Sequence, residues 1–440
     1  MKGVRPFGYI PEAVYVLYSV LLFIVLLIIA PAYVLKLRFR RREKIHFLER
    51  LGFRLPPRPV GRPFIWIHAV SVGEVLSLQS FVRDLKARYP DGMVGVSTLT
   101  GTGRRMAEEK MTAADLVFFV PFDFGWCVRR VLRRLDPDLI ILAESEFWPR
   151  LLGEAGRRRV PVLLVNGRIS TTTGRRMRRL GPVIRFVLRP VTRFLVQTER
   201  DRARLGQAGI DAARIEVVGN LKCEVHLPAL SAEEIVRGRA ELGVGDGERL
   251  LLAGSIHPGE EGPLLRAFQA SRASARPVRF ILAPRHPDKF QNLEKDFARL
   301  DLVFVRKTQF SPGRAWDVLI LDTIGELARF YALADAAFIG GSLVPWGGQN
   351  LLEPAFYGKP VFFGPHMDNF ASLAEAFAQE GAARIVRTPE ELTAMFAFRN
   401  DGDLADLGKR ARRTLESLSG ATEKTLAVVG RILSHAGKSV

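Results

Sequence analysis

The hydrophobic pattern begins with an apolar run from Ala13 to Leu35, interrupted only by Ser19 and Pro31. Its length predicts a membrane helix. Lys2 and Arg5 precede it, and Lys36, Arg38, Arg40, Arg41, Arg42 and Lys44 follow it. By the positive-inside rule the larger basic cluster stays cytoplasmic, giving a single N-terminal anchor with the rest of the chain facing the cytoplasm. A cleaved signal peptide is the alternative, since Ala30–Pro31–Ala32 resembles a cleavage site; the length of the run and the dense charge after it oppose export. Whether the helix crosses the bilayer or skims it stays open.

After a Pro-rich link (Pro56, Pro57, Pro59, Pro63) the pattern changes to short apolar runs separated by helix-length amphipathic segments. Phe64–Ile67, Met93–Val96, Leu116–Val120, Leu139–Leu142, Val162–Val165 and Phe194–Val196 form a first set. Leu250–Ala253, Phe280–Leu282, Val318–Leu321, Ala337–Ile339 and Val361–Phe363 form a second. Such an alternation predicts two parallel sheets with helices on both faces. The expected fold class is α/β, with two doubly wound Rossmann-like domains facing a cleft and an N-terminal membrane-anchor helix. The expected divisions are an anchor and basic juxtamembrane segment (1–50), a first domain (51–227), a linker without strand signal (228–247), a second domain (248–402) and a helical segment (403–440).

One stretch organises the second domain, Gly340–Gly341–Ser342–Leu343–Val344–Pro345–Trp346–Gly347–Gly348–Gln349–Asn350–Leu351–Leu352–Glu353–Pro354. Strand, glycine-rich turn and helix start together aim backbone N–H groups at an anion, usually a phosphate. Glu353, one turn in, suits two adjacent ribose hydroxyls, although Asn350 and Glu353 also have capping-box spacing. Three further turns come at the same edge. They are Gly254–Ser255–Ile256–His257–Pro258–Gly259–Glu260–Glu261, Pro284–Arg285–His286–Pro287 with a guanidinium for phosphate or base, and Asp322–Thr323–Ile324–Gly325–Glu326–Leu327. Ser255 and Gly348 are nucleotide-side candidates from these turns.

In the first domain the first strand runs into His68–Ala69–Val70–Ser71–Val72–Gly73–Glu74. Ser71 and Glu74 have capping-box spacing, yet a carboxylate at a strand's carboxyl end is also a candidate general base, with Gly73 letting a substrate approach the backbone. The fourth strand ends in Ala143–Glu144–Ser145–Glu146–Phe147–Trp148–Pro149, where two carboxylates imply a polar cleft or a surface turn. Asn166–Gly167–Arg168 and Gly219–Asn220–Leu221–Lys222 stand at the same level, and Lys222 suits a phosphate leaving group. Ser71, Gly73 and Arg168 are the acceptor-side candidates.

A net charge of +19 over 440 residues changes the picture by requiring an anionic partner. Arg129, Arg130, Arg133 and Arg134, then Arg157–Arg158–Arg159, then Arg175, Arg176, Arg178 and Arg179 all lie in the first domain, beside the anchor. Solvated helix faces are the plain reading, anionic lipid headgroups the functional one. Nucleic acid is the rival partner, but there is no zinc spacing and no RNP-like aromatic motif. Two cysteines, Cys127 and Cys223, make no disulfide framework. No Walker A lysine, Gly-x-Ser-x-Gly elbow, His-Glu-x-x-His, dinucleotide fingerprint or paired-aspartate site is present, so chemistry without metal or cofactor is expected.

Taken in order, Ser-Val-Gly-Glu, Glu-Ser-Glu-Phe-Trp-Pro, Asn-Gly-Arg-Ile-Ser, Pro-Arg-His-Pro, Asp-Thr-Ile-Gly-Glu-Leu and Gly-Gly-Gln-Asn-Leu-Leu-Glu-Pro resemble the 3-deoxy-D-manno-octulosonic acid (Kdo) transferases of lipid A assembly, over nearly the whole chain. The resemblance implies a membrane-anchored, inverting GT-B glycosyltransferase. CMP-Kdo is then the donor, and a phosphorylated, acylated glucosamine disaccharide the acceptor. It implies Glu74 as catalytic base and Glu144 and Lys222 as transition-state stabilisers. Pro284, Arg285, Ile324, Gly325, Glu326 and Asn350, Leu351, Leu352 and Glu353 match the CMP-binding segments. The chain departs from the family at Gln349, where histidine is usual, at Gly167, where alanine is usual, and at Cys223–Glu224, where Phe–Asp is usual. A transferase of another activated sugar and a membrane-tethered nucleic-acid-binding protein are the rival readings.

Overall fold

The computed structural model describes residues 12–39, 46–55, 63–225, 227–272, 277–287, 297–397 and 401–435, with the first helix's side chains described over 14–28. Two compact units result: Met1–Glu224 with Ser419–Val440, and Val225–Leu418.

The first unit holds strands β1 (Phe64–His68), β2 (Met93–Thr98), β3 (Leu116–Phe119), β4 (Leu139–Ala143), β5 (Val162–Gly167), β6 (Val191–Val196) and β7 (Ile215–Val217). All pairings are parallel, in the order β3-β2-β1-β4-β5-β6-β7. The apolar runs of β1 and β4 are buried at every position because both faces of the sheet are covered. Phe64, Trp66, Ile140 and Leu142 enter one core; Ile65, Ile67, Leu139 and Ile141 enter the other. Strand order reverses between β1 and β4, so the carboxyl ends of these two strands border the crevice where such sheets bind ligands.

The second unit repeats the plan with β8 (Arg249–Ile256), β9 (Val278–Pro284), β10 (Phe304–Arg306), β11 (Val318–Ile320), β12 (Ala336–Ile339), β13 (Val361–Phe363) and β14 (Ala383–Ile385), in the order β10-β11-β9-β8-β12-β13-β14. Its reversal lies between β8 and β12, and β12 leads directly into the Gly340–Glu353 stretch. Edge strands β7, β10 and β14 are additions to the sequence reading. Each is three residues long and incompletely buried, so each lacks the apolar run that marks a central strand.

The segment 228–247 contains a helix, Ala232–Glu241, started by a capping box between Ser231 and Glu234 and tied into the second unit by Arg239 to Asp335 at 3.1 Å. The segment 403–440 divides: Asp401–Leu418 lies in the second unit and Ala421–His435 in the first. Glu224 makes that return. Its Oε1 accepts the N–H groups of Gly420 (2.8 Å) and Thr422 (3.1 Å), and the helix then buries Leu426, Val428, Val429 and Leu433 in the first unit's core.

The apolar run forms a helix, Glu12–Phe39. Tyr15 is buried against Phe186, and Arg150 Nε donates to Ser19 Oγ at 3.0 Å. Val16, Leu17, Val20, Leu21, Phe23 and Ile24 are exposed. Among the described residues no helix is long and apolar enough to cross a membrane, so the expected transmembrane span has no support in the structure. Lys2, Arg5, Arg40, Arg41, Arg42 and Lys44, and Pro56, Pro57 and Pro59, lie outside the described residues.

Candidate active site

In the first unit, β1 delivers the chain to Ser71, the N-cap of the helix Val72–Arg88. Glu74 N–H donates to Ser71 Oγ at 3.4 Å, while Ser71 Oγ donates to Glu74 Oε1 at 2.8 Å and Val70 N–H to Oε2 at 2.9 Å. Ser71 is thus the cap, and the candidate base Glu74 is its bonded partner, fixed through both carboxylate oxygens. Burial pushes the Glu74 carboxyl up to about 7 against the pull of those two hydrogen bonds, helped by the carboxylates of Glu146 and Glu144. Gly73 leaves the first turn open: a Cβ there would meet only Ser71 Oγ, at 3.9 Å.

The strand β4 stops at Ala143, so Glu144 and Glu146 do not continue its alternation. Glu144 turns the chain with a left-handed φ of 50°, its N–H donating to Val165 O at 2.9 Å. Its Oε1 lies 3.7 Å from Lys222 Nζ, on the 3-10 turn Leu221–Cys223. Glu146 is held by Trp148 Nε1 at 3.0 Å, and burial raises its pKa, with the Glu144 charge adding to the shift. Trp148 in turn meets the fully buried His68 ring edge-on at 5.5 Å. Three carboxylates and one ammonium therefore gather at the carboxyl ends of β1 and β4. Arg168 is exposed just beyond β5.

In the second unit the glycines of the organising stretch do two jobs. Gly340 permits close approach, since a Cβ there would sit 2.5 Å from the Ile256 backbone; Gly341, Gly347 and Gly348 take φ of 69°, 88° and 72°. The anion expected at this turn is supplied internally. The carboxylate of Glu260, fully buried, accepts the N–H groups of Gly341 (2.6 Å), Ser342 (2.9 Å) and Leu343 (2.9 Å), and of His257 (2.8 Å). The reading of those amides as open to a substrate phosphate is corrected accordingly. Glu260 stands just before the helix Glu261–Ser271, and the contact is tertiary.

Asn350 and Glu353 do not form a capping box either. Asn350 Oδ1 accepts Leu352 N–H at 3.1 Å, and Asn350 Nδ2 donates to Glu353 Oε1 at 3.1 Å; the helix they precede, Leu352–Phe356, is only five residues long. Burial raises the Glu353 pKa, opposed by the Asn350 bond and the nearby Arg285 charge. Leu351 and Leu352 are buried in the core and leave only backbone to a ligand. Ser255 sits at a register shift in β8 with φ of 55°, which re-aims its side chain. Arg285 follows Pro284, and its N–H donates to Ile256 O at 2.9 Å. Ile324 is 96% exposed, Gly325 has φ of 91°, and Glu326 accepts the hydroxyl of Thr323. Gln349 Nε2 lies 3.0 Å from His257 Nε2, and the His257 ring stacks on Trp346 at 4.7 Å.

Two seven-stranded parallel units, each with polar groups at its switch point, define a GT-B-like α/β fold. The fold is shared with MurG of Acinetobacter baumannii (TM-score 0.54, 15% identity, 84% of this chain and 100% of that one) and with the UDP-GlcNAc 2-epimerase of Neisseria meningitidis (TM-score 0.54, 11% identity, 84% and 100%). Residues 45–225 match the family described as 3-deoxy-D-manno-octulosonic-acid transferase (kdotransferase). The 3-deoxy-D-manno-octulosonic acid transferase of Bordetella pertussis is 36% identical over 394 residues, covering 86% of this chain and 89% of that protein. The corresponding transferase of Chlamydophila psittaci is 31% identical over 337 residues, 76% of each. The chain belongs to the Kdo transferases, glycosyltransferases of lipopolysaccharide biosynthesis.

Proposed function

We propose that the enzyme transfers Kdo from CMP-Kdo to a hydroxyl of a phosphorylated, acylated glucosamine disaccharide, with inversion and without a metal or other cofactor. The observation that carries this reading is Glu74, a buried carboxylate fixed by Val70 and Ser71 and pushed up to about 7, the range in which a general base works best. The acceptor O–H gives its proton to Glu74 as its oxygen forms a bond to the anomeric carbon of Kdo. The bond from that carbon to the CMP phosphate oxygen breaks, and CMP leaves with the electron pair. One displacement inverts the centre. Lys222, held beside Glu144, and Arg285 are the cations suited to the phosphate charge, and Glu353, braced by Asn350, suits the ribose hydroxyls. Ser255, Ile324, Gly325, Glu326 and Gly348 complete the nucleotide side; Ser71, Gly73 and Arg168 the acceptor side.

The same reading includes association with the anionic inner membrane from the cytoplasmic face. A basin of about 680 Å³ lined by Gly52, Phe53, Trp126, Arg129, Arg130, Arg133 and Arg134 combines guanidinium groups with exposed aromatic rings, the composition of a bilayer interface contact. The exposed side chains of the helix Glu12–Phe39 supply apolar surface in the same unit.

The test is Kdo transfer from CMP-Kdo to a tetraacylated lipid A precursor, read by mass spectrometry, for wild type and Glu74→Gln. Transfer by the wild type, lost in the variant while CMP still binds, supports the reading. Equal activity in both would reduce Glu74 to the partner of its helix cap. Absence of transfer by a folded, CMP-binding wild type would remove the proposed acceptor.

A further inference from the structure

Asn166, at the end of β5, is fully buried, yet it has a left-handed φ of 54°. Asparagine is among the few side chains that tolerate that region. Its own carbonyl accepts Gln197 Nε2 at 3.0 Å, and its side-chain Oδ1 accepts Leu221 N–H at 3.1 Å, a bond spanning 55 residues of chain. Its Nδ2 is closed off from solvent and has no partner among the described residues, so the side chain is oriented by the single bond to Leu221. Leu221 opens the 3-10 turn Leu221–Cys223, which Asn220 caps through Lys222 N–H at 3.0 Å. The neighbouring backbone is bound on the other side, where Val165 O accepts Glu144 N–H at 2.9 Å. One strand end thus fixes both members of the Lys222–Glu144 pair.

We propose that Asn166 is a positioning residue, its side-chain oxygen setting the Lys222 turn so that the ammonium stands against Glu144. The inference rests on the reading of Lys222 and Glu144 given above. Asn166 touches no substrate; it acts through the geometry of the pair.

Two variants remove the same bond from opposite ends. Asn166→Gly keeps the left-handed backbone and deletes the acceptor. Leu221→Pro deletes the donor; the first position of a helical turn accepts proline, and Asn220, at φ −107° and ψ 119°, already has the conformation a following proline requires. A displacement of about 1 Å can cost about 100-fold in rate, so each variant is expected to lose about that much kcat while the KM for CMP-Kdo stays within about twofold. In a Lys222→Ala background either change should cost less than about threefold more, since residues acting through one group are not additive. Bound CMP and a single cooperative thermal transition check that each protein is folded; the midpoint itself is expected to fall, from the lost buried bond and, in Leu221→Pro, from lost core packing. Multiplying losses, or wild-type kcat in the folded single variants, would overturn the inference. Wild-type activity in Lys222→Ala itself would overturn the reading of Lys222, and the inference with it.

Discussion

Glu74, the base proposed above, is bonded to the cap of its own helix. Its two carboxylate oxygens are occupied by Val70 N–H and Ser71 Oγ, which would lower its pKa, yet burial and the charges of Glu146 and Glu144 carry it up to about 7. A base must be ionised to accept a proton, so kcat/KM should rise as pH passes upward through about 7 and level off above it. A pH–rate profile checks this. Neutralising one neighbouring charge makes ionisation easier, so Glu146→Gln should move that acidic limb to lower pH; a limb that stays or moves upward would refute the electrostatic role of Glu146. His68 stands apart from this titration, because burial depresses its imidazole to about 4, and it remains neutral throughout.

At the scale of elements, two loops of the second unit are tied together by one of its own carboxylates. Glu260 links the loop after β8 to the loop after β12 through four backbone N–H groups. Each buried donor left without an acceptor costs about 1–3 kcal/mol, so Glu260→Ala should destabilise the second unit by at least about 3 kcal/mol in denaturant titration and weaken CMP binding, with Glu260→Gln intermediate. This device marks the limit of what the sequence makes legible. Central strands such as β1, β4, β8 and β12 announce themselves as apolar runs, and the turns that follow them bring Glu74, Glu144 and Lys222 into one unit as their level in the chain suggested. Which anion fills a glycine-rich turn is not legible, because the partner comes from a helix 81 or more residues away in sequence and is chosen by tertiary packing. The departures from the family likewise acquire reasons only in three dimensions. A Cβ at Gly167 would lie 3.0 Å from both Leu164 Cδ2 and Val196 Cγ1, so β5 and β6 are fitted to glycine there; Gln349 has its own partner in His257; and Glu224 seats the returning C-terminal helix.

For the whole molecule the governing quantity is a net charge of +19, and the question is where it acts. Ion pairs hold some arginines in place without changing that net charge: Arg129 and Arg157 share Glu154, and Arg104 pairs with Glu49 and Glu108. Arg133 and Arg134 are exposed on the helix Gly125–Leu135, in the basin flanked by Trp126 and Phe53, which are also exposed. Desolvating several guanidinium groups against protein would be costly without acids to meet them, whereas a bilayer of anionic lipids offers phosphates at low cost. Each basic residue at such a surface is worth about 1 kcal/mol, so Arg133→Ala with Arg134→Ala should lose about 2 kcal/mol, roughly 30-fold, in partitioning to phosphatidylglycerol vesicles. Salt should erode the wild-type advantage, since exposed charges are screened within about 10 Å at 0.1 M. Vesicle co-sedimentation over a salt series separates the contributions. Loss confined to anionic vesicles and low salt places the charge at the lipid surface, while equal loss on neutral vesicles would assign the binding to the apolar side chains of the helix Glu12–Phe39 instead. Because both arginines lie outside the group of carboxylates around Glu74, transfer to a detergent-dispersed acceptor should keep its wild-type kcat in the double variant, so the electrostatics of docking and of chemistry can be read separately in one protein.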